Sequence, residues 1–394
     1  MISQALLKKF QGVATPFYYY DTKLLKQTVT AATKGAKKQD IELHYALKAN
    51  ANKNVLKLIE NSGFGADCVS GNEVKRALEC GFKADRIVFA GVGKSDEDIR
   101  YAIKKNIFCF NCESIEEIKV INGIAKAENK IARIALRINP NVNAHTHHYI
   151  TTGLEENKFG INSWELEEAV NVIYKSKQIK LIGLHFHIGS QITDLTVFKN
   201  LCLKVNEILA WFSNRNVYIE NINLGGGLGV DYYHPDKTPV PDFENYFSLF
   251  RKFLKIETKQ KMHLEPGRAI VAQCGSIISK VLFVKKGMQT NFIILDAGMT
   301  ELLRPALYQS YHQIENLTGA KRKEIYKYDV TGPICESSDC FRKAVELPET
   351  KRGDLIAIRT TGAYAESMSL SYNLRDTAKV YFAEDLICNV EKNG

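Results

Sequence analysis

Lys48 ends the stretch His44-Tyr45-Ala46-Leu47-Lys48, directly after an apolar run over residues 41–47 that reads as a buried strand. The carboxyl end of such a strand is where α/β proteins place their chemistry. Burial there disfavours the ammonium, lowers its pKa and leaves a nucleophilic amine. Taken alone, Lys48 reads more simply as a lysine with a buried stem whose head snorkels to water.

Other groups change that reading. Leu224-Gly225-Gly226-Gly227-Leu228-Gly229 follows the seventh strand-like run, and consecutive glycines let backbone N–H groups approach an anion. The spacing is not that of a dinucleotide fingerprint. Glu265-Pro266-Gly267-Arg268 follows the eighth run. Loops after strands seven and eight of an α/β barrel recurrently hold phosphate. In His185-Phe186-His187-Ile188-Gly189-Ser190, period two puts both histidines on one face, to ligate a metal or to stack over a flat ring. Gly332-Pro333-Ile334-Cys335-Glu336-Ser337 sets a thiol beside an acid on a loop, a candidate proton donor. Gly362-Ala363-Tyr364 and Arg304-Pro305-Ala306-Leu307-Tyr308 complete the set. A lysine able to form a Schiff base, a phosphate cradle and an acid for a pyridinium nitrogen are the parts that pyridoxal phosphate requires.

The elements that must carry these residues are regular. Strand-like runs at 41–47, 64–69, 86–90, 107–111, 132–138, 181–187, 218–224 and 263–265 alternate with helical stretches. Ser95-Asp96-Glu97-Asp98 and Ser114-Ile115-Glu116-Glu117 both have the form of capping boxes. Eight such units predict a (β/α)8 barrel, with a doubly wound sheet as the alternative. After residue 270 short strand-like runs follow without regular helices, a second and mostly β domain that the run at 15–20 is expected to join. The predicted boundaries are 1–28 for that N-terminal segment, 29–268 for the barrel and 269–394 for the β domain.

A hydrophobic content of 45% with 25% charged residues is that of a soluble globular protein. The net charge is +9, but the basic runs are short, so no nucleic-acid partner is expected. No apolar run reaches membrane-spanning length, and residues 1–10 lack a secretory pattern, so no membrane association is expected. Nine cysteines at irregular spacing fit free thiols in a reducing cytoplasm. The lone Cys109-x-x-Cys112 pair and His145-Thr146-His147-His148 carry no expectation of a metal.

In this order, HYALKAN, HFHIGSQI, GGGLG, EPGR, RPALY, GPICES and GAY…SM…YN resemble the fold-type III pyridoxal-phosphate-dependent decarboxylases that act on ornithine, diaminopimelate or arginine. The likeness spans residue 15 to about residue 384. It implies an alanine-racemase-like barrel with a C-terminal β-barrel domain, and a homodimer with shared active sites. It implies that Lys48 carries the cofactor, that Asp67 lies near its ring and that His187 stacks on its face. Ser190, Gly225, Gly226, Gly227, Glu265, Pro266, Gly267, Arg268 and Tyr364 would bind the cofactor, with Glu265 at the ring nitrogen. Cys335 would be the proton donor, reaching the other subunit's site. Arg268, Arg304, Tyr308, Glu336 and Tyr364 would bind substrate.

The substrate also has a physical argument. Glu336 suits a distal ammonium, and arginines suit a distal carboxylate through forked hydrogen bonds. An arginine facing a bare ammonium would repel it. The expected reaction is therefore decarboxylation of meso-2,6-diaminopimelate to L-lysine and carbon dioxide. Carboxynorspermidine, ornithine and arginine are the alternative substrates. A partner-binding regulator without activity, a metal hydrolase built on His185, His187 and His147, and a racemase are the competing readings. The residues Ala365-Glu366 and Leu370-Ser371 depart from the family's usual pattern, which bears on substrate tolerance.

Overall fold

The computed structural model describes residues 2–142 and 158–388; the histidines at 145, 147 and 148 lie outside the described residues. β1 (Phe17–Tyr20) precedes eight strands that alternate with helices: β2 (Ile41–Ala46), β3 (Gly65–Cys68), β4 (Ile87–Phe89), β5 (Cys109–Cys112), β6 (Ala132–Arg137), β7 (Ile179–His185), β8 (Asn221–Asn223) and β9 (Lys261–Leu264). β2 to β9 form a closed parallel barrel, as the alternation predicts. Closure is made by β9 on β2, with Glu42 opposite His263.

The helix starts follow local chemistry. Ser95 caps Asp96–Lys105 in a full capping box with Asp98. At Ser114 only half of the expected box forms. The hydroxyl accepts from Glu117 N–H, but the Glu117 carboxylate turns to Glu113 N–H and to buried Lys94. An ion pair inside the molecule outcompetes the cap.

The β-rich unit holds β1, β10 (Gly275–Lys286), β11 (Asn291–Leu295), β12 (Ile314–Asn316), β13 (Ile325–Thr331), β14 (Cys340–Pro348), β15 (Leu355–Arg359) and β16 (Lys379–Phe382). They form a mixed sheet in the order β12-β15-β10-β11-β13-β14, with β1 joining β10 to β16. The all-aromatic run Phe17–Tyr20 is buried along its whole length because it pairs on both edges.

The contacts divide the chain at places the sequence rhythm did not mark. Val230–Pro241 and Arg268 group with the β-rich unit, although the expected barrel ran unbroken from 29 to 268. The reason is specific to side chains in that unit. Asp236 pairs with Arg359 at 2.9 Å, and Tyr233 stacks on Tyr311 at 4.1 Å between ring centroids.

Candidate active site

The strand before Lys48 stops at Ala46, and Leu47–Ala49 form one 3-10 turn. Lys48 therefore projects from the turn, not from the strand itself. Its amine donates to Asp67 Oδ2 at 3.1 Å, with the lysine side chain 37% exposed and the Asp67 side chain fully buried. Asp67 Oδ1 is buried without a hydrogen-bond partner. Burial pushes the Asp67 carboxyl up to about 7, with repulsion from Glu265 adding and Lys48 opposing.

Glu265, one residue past β9, is in the opposite state. Its carboxylate accepts from Asn223 Nδ2 at 2.7 Å and Asn111 Nδ2 at 3.3 Å, and it meets His185 Nε2 at 3.0 Å. Burial alone would raise it, but His185, Lys48 and His187 outweigh burial and hold it well below the usual carboxylate range. It is a buried fixed anion, a group of the kind that can keep a pyridinium nitrogen protonated.

The loops close around this acid. A Cβ on Gly226 would lie 2.2 Å from the Glu265 carbonyl oxygen, and one on Gly225 would lie 2.3 Å from that of Phe186. Gly225 also has φ +69°, so both space and backbone require glycine there. Gly226 N–H donates to His187 Nδ1 at 3.3 Å. Burial, with Lys48 and Arg137 nearby, holds the His187 imidazole well below its ordinary value. Ile192 N–H donates to Gly227 O and Gly229 N–H to Ile192 O, both at 2.9 Å, which sets the Ser190 loop against the glycine loop. The Pro266 carbonyl accepts from Ala46 N–H at 3.3 Å, and a Cβ on Gly267 would crowd Ala46 and Ala49. Lys48, Asp67, His187, Ser190, Gly225, Gly226, Gly227, Glu265, Pro266 and Gly267 thus all belong to the carboxyl ends of the barrel strands. The glycine cradle, the orphaned Asp67 oxygen and the anionic Glu265 fit pyridoxal phosphate.

Arg268, the next residue, belongs to the β-rich unit. It donates to Tyr232 Oη at 2.6 Å, and its guanidinium lies 4.8 Å from the Tyr364 ring centroid. The Arg304 guanidinium lies 4.9 Å from the Tyr232 ring centroid and donates to His312 Nε2 at 2.8 Å. His312 Nδ1 donates to the Arg359 carbonyl at 2.9 Å, and burial holds His312 well below its ordinary value, so it accepts as a neutral ring. Two buried guanidiniums on one tyrosine make a site for an anion. Tyr308 ends the short helix Arg304–Tyr308 and interacts electrostatically with Arg268.

Cys335 and Glu336 are exposed, at a loop tip. Asp339 shapes that loop by accepting from Ile334 N–H and Met299 N–H, each at 2.7 Å. Glu336 accepts from Tyr372 Oη at 2.9 Å. Glu366, in the departing Ala365-Glu366 pair, accepts from Tyr20 Oη at 2.7 Å, which gives it a packing role.

The sequence reading did not name Asn111 or Asn223 as partners of Glu265, nor Tyr232 or His312 as supports for the arginines. Position could have found Asn223, which immediately precedes Leu224 and the glycine run. The others carry no local signal. Of the three histidines in the metal-hydrolase reading, His147 lies outside the described residues and His185 Nε2 is engaged by Glu265.

The model of the family described as pyridoxal-dependent decarboxylase, pyridoxal binding domain, matches residues 23–272. A diaminopimelate decarboxylase of Bacteroides thetaiotaomicron is 54% identical over 382 residues, covering 97% of this chain and 98% of its own. The crystal structure of diaminopimelate decarboxylase from Helicobacter pylori complexed with L-lysine superposes with a TM-score of 0.89 at 39% identity, over 98% of this chain and 100% of that one. That from M. jannaschii in complex with L-lysine gives 0.87 at 33% identity, over 97% and 93%. With these likenesses spanning nearly its whole length, the chain belongs to the pyridoxal-dependent decarboxylases.

Proposed function

We propose that the chain decarboxylates meso-2,6-diaminopimelate to L-lysine and carbon dioxide, using pyridoxal phosphate. The 54% identity to a diaminopimelate decarboxylase over 97% of the chain carries this reading. The buried arginine pair on Tyr232 supports it, since a substrate with a distal carboxylate needs such a site and ornithine does not.

When bound, pyridoxal phosphate supplies an electron sink for the pair left behind as the carboxylate departs. Lys48 holds the cofactor through its amine. Glu265 keeps the ring nitrogen protonated, and His187 covers a ring face. Ser190, Gly225, Gly226, Gly227, Pro266, Gly267 and Arg268 bind the cofactor, and Tyr364 touches its phosphate. Arg268, Arg304, Tyr308 and Tyr364 orient the distal carboxylate, and Glu336 the distal ammonium. Cys335 delivers the proton that replaces carbon dioxide. The assembly is a homodimer in which the Cys335–Glu336 loop serves a second copy. The compartment is the cytoplasm, where the cysteines stay reduced; among the described residues eight are free thiols, and no described helix is long and apolar enough to cross a membrane.

Turnover of meso-diaminopimelate with pyridoxal phosphate, followed by carbon dioxide release and product identity, tests the reading. L-lysine as product supports it. Inactivity on this acid with turnover of ornithine reverses the substrate assignment.

A further inference from the structure

Within the barrel strands, before the strand ends that carry Lys48 and Glu265, lies a cluster that the decarboxylation does not use. His44 on β2 and His263 on β9 are both buried, and His44 Nε2 lies 3.0 Å from His263 Nδ1. Their outer nitrogens face acceptors. His44 Nδ1 is 3.2 Å from the Arg86 carbonyl oxygen, and His263 Nε2 is 3.0 Å from Asn221 Oδ1. The Asn221 amide is oriented by its own Nδ2, which donates to the Ile182 carbonyl at 3.0 Å. Each outer nitrogen must therefore carry a hydrogen. In two neutral rings that leaves two lone pairs pointing at one another across 3.0 Å, a repulsive arrangement unless a cation lies between them.

The geometry points to a divalent transition-metal site, of the kind zinc takes, made by His44 Nε2, His263 Nδ1 and the Glu42 carboxylate. Glu42 and His263 are direct partners across β2 and β9, and His44 is two residues on, so all three share one face of the sheet. Their ligand atoms all lie within 4.8 Å of one another. Two imidazoles and one carboxylate are an established zinc donor set. At metal–nitrogen bonds of about 2.0–2.1 Å, tetrahedral ligands stand roughly 3.3 Å apart, so the pair needs to open by only a few tenths of an ångström. Carbonyl acceptors on both outer nitrogens are the usual orienting partners of ligating histidines.

Both rings are buried, which disfavours the imidazolium, the form that cannot ligate. The Glu42 side chain is 40% exposed and pairs loosely with Lys261 at 3.4 Å, which leaves an entry path. Because β2 and β9 are the first and last strands of the barrel, the ion would staple its closure. That is a stabilising role, away from the strand ends that carry the chemistry.

The cofactor-loaded enzyme is stripped with a chelator, dialysed and titrated with Zn²⁺ alone by calorimetry, with bound metal counted by mass spectrometry. One tight zinc per chain is expected, together with a Tm that rises with free zinc. His44→Gln and His263→Gln should abolish that site, and Asn221→Ala should weaken it by about 10–100-fold. Glu42→Gln, at a partly exposed position, guards against misfolding of the buried variants and should also weaken it. Co²⁺ in place of zinc should give ligand-field absorption at wavelengths beyond the cofactor's band, lost in the same variants. The proposal is overturned if the wild-type chain binds no zinc, if the histidine and glutamate variants bind zinc as tightly as wild type, or if the metal-free pair titrates as a shared imidazolium that zinc does not displace.

Discussion

Lys48, Asp67 and Glu265 are held by side chains within the barrel, whereas Cys335 and Glu336 stand exposed at the tip of a loop in the β-rich unit. Glu265 has three side-chain partners that fix its position and charge. Cys335 has a backbone N–H donating to Asn373 Oδ1 at 3.2 Å, and Glu336 has the Tyr372 hydroxyl. The contrast teaches how the labour is divided. Groups that hold a cofactor must be pre-organised inside one chain, because positional error there costs rate directly. Under the proposed function Cys335 would serve a second copy, a role that requires it to stand at the surface.

Lys48→Ala should have the largest effect. Loss of the anchoring amine should abolish turnover beyond the roughly 10²–10⁴-fold of a missing acid–base group. The visible absorbance of lysine-bound cofactor should vanish with it. If that absorbance survives, the buried region is not the anchor.

Cys335→Ala should come next, with kcat lower by about 10²–10⁴-fold and the cofactor spectrum unchanged. A changed spectrum would mean that the exposed loop also holds the cofactor, which erases the distinction.

A smaller effect is expected from Arg304→Lys, which keeps charge but loses the fork on His312 and Tyr232. KM for the dicarboxylate should rise by about 10–100-fold, the ~1.5–3 kcal/mol of a hydrogen bond to a charged group. An unchanged KM would remove Arg304 from the substrate site.

The smallest effect sharpens the account of burial. In the cofactor-free protein the Asp67 carboxyl rises from the ordinary 3.8 to about 7. Its proton is bound more tightly folded than unfolded. The corresponding stability is fully present below about pH 4 and is lost as pH rises through 7. Tm should carry a component that falls by a few degrees across that window. Asp67→Asn should flatten it, and an unaltered Tm–pH profile in that variant would contradict the raised carboxyl.

The barrel was legible because eight apolar runs alternate with amphipathic stretches, and the candidate cofactor residues stood out because they cluster in short motifs at strand ends. What escaped had no local signal. β14 reads Cys-Phe-Arg-Lys-Ala-Val-Glu-Leu-Pro and is largely exposed, so it shows no apolar alternation. β12 has only three residues. Val230–Pro241 leaves the barrel because of Tyr232, Tyr233 and Asp236, whose partners lie at Arg268, Tyr311 and Arg359. The strand before Lys48 was read one residue too long because the apolar run continues through Leu47, where the chain already turns. Asn111 and Glu265, which are 154 residues apart, meet only when the barrel closes.

Subunit complementation tests the division of labour most directly. Lys48→Ala and Cys335→Ala enzymes, each inactive, are mixed, allowed to exchange subunits and assayed for diaminopimelate decarboxylation. If the anchor and the donor loop act from different copies, mixed dimers contain one site with both residues intact, and activity should appear on mixing. Equal mixing and free exchange would restore about a quarter of the wild-type level, since half the dimers are mixed and each has one of two sites working. Activity that stays absent after exchange has been verified would contradict the account.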